Sequence, residues 1–239
     1  MVNLSELLTA SSRAFTPPVY LVPDFEVLLA NLVPDWHEIF DQLDARDRAS
    51  LVTLGKQGWY LDHEFTNPQL LSIANAIEEG LVKERNKILC DWYEERLTQI
   101  ELDLSARHLH RDLVLRDAFQ AHREGKYTLS VPVFLAQADG ICHDLTGHQL
   151  YSRPNGVPVL AKLLSLEYLT SVRASALHAL SQRLPISDNA QTRVCAPDLL
   201  NRHAVLHGED LNYHTRTQSC RAISLLNCVS WIFYERPRV

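Results

Sequence analysis

The chain has 239 residues, 46% of them apolar and 22% charged, with a formal net charge of −6. That length can bury a sizeable core as one large domain or two small ones. The acidic balance argues against a surface coated with basic groups for nucleic acid, though not against a local basic groove.

Other classes are disfavoured too. No run approaches the roughly 18 consecutive apolar residues of a membrane span. The start of the chain lacks the basic-then-apolar pattern of a secretory signal. Five scattered cysteines (Cys90, Cys142, Cys195, Cys220, Cys228) with no C-x-x-C suit buried thiols in a reducing cytoplasm better than disulfides or a zinc site.

Prolines punctuate residues 1–34, which read as an extended arm with one short helix at 25–31. From Asp35, a cap residue, Trp36, Ile39, Phe40 and Leu43 recur at helical spacing until Gly55 and Gly58 interrupt. Trp59 to Asp62 is an apolar connection. Asn67 before Pro68 marks the next helix start, and Gly80 its end. Residues 81–104 predict one long amphipathic helix, and 111–124 another that Gly125 stops. The stretch 129–145 has almost no polar face, so it reads as the central buried helix, with Pro132 in its first turn. A loop at 147–159 precedes a helix at 160–183, which Pro185 ends. A last helix runs from Thr215 to Tyr234, with Ile223, Leu226, Val229 and Ile232/Phe233 as its stripe. That stripe exceeds what a short terminal element usually needs, which suits dimerisation. Nothing alternates long enough to build a sheet. The fold class is all-α, with a helical N-terminal region over 1–110 and a second helical region over 111–239.

Functional side chains crowd one stretch, Leu199 to Gly208. Leu199, Leu200, Val205 and Leu206 give it an apolar stripe, yet Asn201, Arg202, His203 and His207 share the same residues. Arg202 and His207 are five apart, so a continuous helix turns one about 140° from the other. They can share a site only if the helix ends near His207, and Gly208 is a residue that commonly ends helices. A histidine moves protons near neutrality, and an arginine holds phosphate with a fork of N–H donors. Together they suffice, without a metal, for attack of an RNA 2′-hydroxyl on its adjacent phosphate. The bland alternative makes Arg202 a surface ion pair and His207 a helix cap.

Gln137 and Asp139 are the second point of interest, because two polar groups in an apolar helix must find partners. Asp139 either orients Arg202 or His207, or pairs with an unrelated arginine. His108 and His110, with Arg107 and Arg111, read as a solvated helix end; the run His122 to Tyr127 reads as a solvated helix terminus, with contact to an RNA backbone as the alternative. His143 and His148 flank a turn without a carboxylate at metal-ligand spacing.

The run Arg202 to His207 resembles the R-x4–6-H signature of the HEPN superfamily, helical-bundle domains that include many prokaryotic ribonucleases. The residue after the arginine is commonly polar in that family, and His203 fits. The resemblance covers 111–239, which it implies to be an up-and-down bundle; 1–110 is not covered. The stretches 129–142 and 201–208 are also similar to segments of bacterial proteins. The resemblance implies an endoribonuclease acting as a homodimer, with Arg202 and His207 catalytic and His203, Asn201 and Asp139 supporting. It further implies a role in toxin–antitoxin systems or antiviral defence, RNA (tRNA included) as substrate, and a regulatory or antitoxin protein as partner. No metal or other cofactor is expected. Some toxin members carry a tyrosine two residues after the histidine; Glu209 stands here, so control through that tyrosine is not implied. The competing reading is a non-catalytic helical module that binds a nucleotide or a partner protein.

Overall fold

The computed structural model describes residues 36–152, 160, 171–188 and 198–234. All described secondary structure is helical: α1 (Trp36–Lys56), α2 (Asn67–Glu78), α3 (Val82–Glu95), α4 (Leu97–Arg107), α5 (Asp112–Arg123), α6 (Tyr127–Thr146), α7 (Ser171–Ser181), α8 (Arg202–Leu206) and α9 (Arg216–Phe233), with 3-10 turns at Leu109–Arg111 and Pro185–Ser187. Among the described residues there is no strand, and no helix is long and apolar enough to cross a membrane. The fold class is all-α, as expected.

The chain divides into two compact units, Met1–Phe40 and Asp41–Val239. Only 36–40 of the first is described, so the expected arm and its helix at 25–31 lie outside the described residues, as do 153–159 of the expected loop. The division expected near 105–111 falls within the second unit, at the 3-10 turn before α5. One apolar cluster there draws residues from Leu54 through to Phe233.

Several boundaries follow local rules. Thr66, rather than Asn67, is the cap of α2: its N–H donates to Gln69 Oε1 (3.0 Å), which leaves Asn67 and Pro68 inside the first turn. Gly55 does not interrupt α1. It sits in the helix where a Cβ would stand 3.0 Å from Leu184 Cδ1, so the glycine admits a close neighbour. The stop comes at Gly58, whose φ of +81° suits glycine.

The expected helix 81–104 is two helices, broken at Arg96. There the guanidinium lies 4.1 Å over the Trp92 ring and reaches Asp62 Oδ2 at 3.4 Å. α6 begins at Tyr127, earlier than expected, so Pro132 lies beyond the first turn. Its missing N–H would leave the Thr128 carbonyl unpaired. The Tyr213 hydroxyl donates to that carbonyl instead, at 3.2 Å.

The central helix is α9, not α6. α6 keeps an outer face, with Leu129 exposed, whereas α9 is buried from Gln218 to Phe233 and touches α3, α4, α6 and α7. Its apolar stripe is thus spent inside the chain. Burying one large aliphatic or aromatic side chain is worth about 1.5–3 kcal/mol. An unpaired buried polar group costs about as much, so the polar residues of α9 must all be met. They are. Ser219 meets His122 Nδ1 (2.7 Å) and Ser130 Oγ (3.0 Å), Ser224 accepts from the Tyr60 N–H (3.3 Å), and Ser230 meets His108 Nε2 (2.8 Å). Gln218 donates to the Asp198 carbonyl (2.8 Å), and Asn227 donates to Asp62, which also holds Arg96.

His108 and His122 are therefore core residues, each 3% exposed, and not the solvated helix ends that their basic neighbours suggest. Burial is the largest cause pulling both imidazoles below their ordinary value, His108 to about 4. A base depressed on folding lets the unfolded chain take the proton first, so stability is lost as pH falls from about 6.5 towards 4. The thermal midpoint should drop across that window, and His108→Gln should flatten the slope. A midpoint independent of pH from 7 to 4.5 would contradict this burial.

Candidate active site

α8 is five residues long, much shorter than the apolar stripe of 199–208 suggests. Both ends are closed by side chain and backbone. Asn201 Oδ1 accepts from the Ala204 N–H at 2.8 Å, the bond an N-cap makes. Its Nδ2 donates to the carbonyls of Pro185 and Asp188, each at 2.8 Å, so this residue, 1% exposed, pins the helix start to the turn after α7. At the other end the Gly208 N–H reaches Val205 O (3.2 Å) and the Glu209 N–H reaches Ala204 O (2.8 Å). This pair of bonds closes helices on a left-handed glycine, and Gly208 has φ +71°. The helix therefore ends at His207, as the Arg202/His207 spacing requires.

Ala204 and Val205 face the core, while His203 and His207 are exposed. Their rings lie 4.2 Å apart, tilted by 53°. His207 lies beside His203 as residues four apart on a helix do, and its N–H still donates to His203 O at 3.0 Å. Arg202 instead forms an ion pair with Asp139 on α6, and the two side chains are 23% and 15% exposed. Asp139 Oδ1 also accepts from the Leu150 N–H (3.2 Å), which fixes the carboxylate on both sides. Burial pulls the Arg202 guanidinium down from its ordinary value without discharging it at neutral pH. Its Nε is buried and has no acceptor among the described residues.

The five residues singled out by sequence thus fall into three roles. Asn201 is structural, a cap and a tether. Arg202 and Asp139 are one unit. His203 and His207 are a second, solvent-facing unit on the same short helix. Gln137, the other polar residue of α6, accepts from Arg111 Nη1 (2.7 Å), and Arg111 also holds Asp144. Gly140 makes room for this arginine, because a Cβ there would stand 2.5 Å from Nη1.

One cluster escaped sequence reasoning. Glu94 on α3, His122 on α5 and Cys220 on α9 bring one ligand-type atom each within 4.8 Å of one another. Both Glu94 oxygens are taken by Arg216, at 2.7 and 2.6 Å, and His122 Nδ1 meets Ser219, so the carboxylate and the imidazole already have partners outside the three. Residues from three separate helices leave no spacing in the chain that could reveal it.

Comparison with protein-family models, curated proteins and solved structures finds no match for this chain. The site therefore has to be judged on its own chemistry.

Proposed function

We propose that the chain is a metal-independent endoribonuclease of the HEPN type, cleaving RNA by attack of a 2′-hydroxyl on the neighbouring phosphate. The observation that carries this reading is the pairing of a carboxylate-held guanidinium with two solvent-facing imidazoles on one five-residue helix. In this scheme Arg202, steadied by Asp139, takes the phosphate oxygens, and a guanidinium fork fits them better than an ammonium does. His207 moves the proton, and His203 sets its ring. An imidazole has to reach solvent and substrate to do this work, and a helix end is where a side chain can do so without unfolding the core.

The same reading includes a homodimer in which two copies of α8 face one RNA, a cytoplasmic setting, and a defence or toxin role under a regulatory or antitoxin protein. The buried thiols of Cys90, Cys220 and Cys228 are compatible with a reducing compartment. The ion pair between Arg202 and Asp139 also favours a second reading, a non-catalytic module whose arginine only ties α8 to α6.

Incubating the purified chain with total RNA and with tRNA, with and without EDTA, separates the two. Cleavage in EDTA that disappears in an Arg202→Ala/His207→Ala variant supports the nuclease. No cleavage by the wild-type chain leaves the module, and cleavage by that variant at the wild-type rate removes Arg202 and His207 from the chemistry. Asp139→Asn refines the assignment. It should lower cleavage while the thermal midpoint stays nearly unchanged, because the amide oxygen still accepts from one of the two donors while the charge that steadies Arg202 is lost. A large loss of midpoint with activity per folded molecule retained would make Asp139 a packing residue instead.

A further inference from the structure

One groove is lined by a buried cation whose hydrogen-bond acceptors among the described residues are all neutral. Arg221, in the first half of α9, is 3% exposed. Its Nη1 donates to the Asp198 carbonyl (3.3 Å) and to Gln218 Oε1 (3.1 Å), and its Nη2 donates to Asn86 Oδ1 (3.4 Å). Its Nε is buried without an acceptor among the described residues. A buried charge is costly unless it is paired, and neutral acceptors offset only part of that cost. Burial is also the largest cause pulling this guanidinium down, to about 10.

The surrounding chain is shaped to keep the arginine there. Gly58 lies against its stem, where a Cβ would stand 3.1 Å from Cδ and 3.3 Å from Nε. Trp59 Nε1 donates to Asn86 Oδ1 at 2.8 Å and so orients one of the acceptors.

Above Arg221 the groove is open and holds about 810 Å³, an ordinary volume for a small-ligand site. The start of α3 forms part of its rim. Leu81 at that cap offers no side-chain acceptor, so the N–H groups of Val82, Lys83 and Glu84 are uncapped and the Lys83 side chain is exposed. The lining also includes Asp198, whose carbonyl Arg221 holds, and Asp210. These carboxylates disfavour a bare anion, but carboxylates are suitable acceptors for sugar hydroxyls. A ligand that satisfies both sets of groups is anionic at one end and hydroxylated at the other.

We propose that this groove binds a ribose phosphate, with the phosphate against Arg221, Lys83 and the start of α3, and the sugar hydroxyls on Asp198 and Asp210. A free ribonucleotide and the 5′-phosphorylated end of an RNA present the same group. The groove does not depend on the chemistry assigned to Arg202 and His207. Its walls do flank that segment in sequence, Asp198 and Leu199 before it and Asp210 after it.

Calorimetric titration of the full chain with adenosine 5′-monophosphate, with adenosine, and with a 5′-phosphorylated RNA trinucleotide tests the proposal. Adenosine monophosphate, the trinucleotide or both should bind, and adenosine should bind at least about tenfold more weakly. Arg221→Gln should weaken binding by about tenfold or more, the loss expected for a hydrogen bond to a charged group. Lys83→Glu adds an acidic residue to the first turn of α3, where it favours the helix, and should weaken binding in the same direction. Saturation by the mononucleotide identifies a free nucleotide as the source; binding of the trinucleotide alone identifies an RNA end. The proposal fails if neither phosphate ligand binds the wild type, or if folded Arg221→Gln binds as the wild type does. Should Arg221→Gln not fold, undiminished binding by Lys83→Glu overturns the proposal on its own.

Discussion

Replacing His207 by alanine is expected to lower RNA cleavage by about 10²–10⁴-fold, the contribution of a positioned general acid or base. Folding should be untouched. The imidazole is exposed, it lies after the last helical residue, and the bond that closes α8 at this position is made by its backbone N–H to His203 O (3.0 Å), which alanine keeps. His203→Ala is the internal control. That ring packs on His207 at 4.2 Å, so its loss should loosen the second ring and cost activity, but less than removing His207 itself. Arg202→Lys should also fail, although charge is conserved. An ammonium cannot present two parallel donors to a phosphate, nor hold Asp139 and the substrate at once. Rates for His207→Ala within a few-fold of wild type would remove the imidazole from the chemistry.

The largest effect on stability is expected at Asp62→Ala. Asp62 is 5% exposed and is the shared acceptor of three donors: Arg96 Nη1 at 3.4 Å, the Glu64 N–H at 3.0 Å, and Asn227 from the middle of α9. Alanine leaves Asn227 buried without an acceptor and Arg96 without its nearest anion. Removing one partner of such a buried pair costs about 3 kcal/mol, which for a chain of this size moves the thermal midpoint by about 6–12 °C. Asp62→Asn should recover part of the loss, because its carbonyl still accepts from Asn227. A midpoint within about 2 °C of wild type for Asp62→Ala would mean that the seam between α9 and the connection after α1 contributes little.

Helix ends were legible because they depend on neighbours a few residues away. Gly80, Gly125, Gly147 and Gly208 all lie at positive φ just past the helices they end, and Thr215 caps α9 by accepting from the Gln218 N–H. The burial of α9 was not legible. Arg221, Ser224, Asn227 and Ser230 recur every three residues, a spacing that reads as a polar face. Their partners, among them Tyr60, Asp62 and His108, lie more than a hundred residues away in the chain. The same cause hid the core histidines, since Arg107, His110 and Arg111 beside His108 look like a wet surface. The break at Arg96 left no signal, because no proline or glycine marks it.

The candidate site was legible in part. A carboxylate in an apolar helix has to find a cation, and Asp139 finds Arg202. That His203 meets His207 follows from their spacing of four, but that Asn201 serves as cap and tether depended on α8 starting only at Arg202. The stripe at 199–206 concealed this by suggesting a longer helix.

The central claim concerns the chemistry of cleavage, and the ends of the RNA fragments report it most directly. Wild-type chain treated with EDTA and given tRNA should leave 2′,3′-cyclic phosphate ends, recognised by resistance to phosphatase until the cycle is opened by acid, with 5′-hydroxyls on the downstream fragments. Fragments with free 3′-hydroxyls and 5′-phosphates, or cleavage that stops in EDTA and returns with Mg²⁺, would contradict the account.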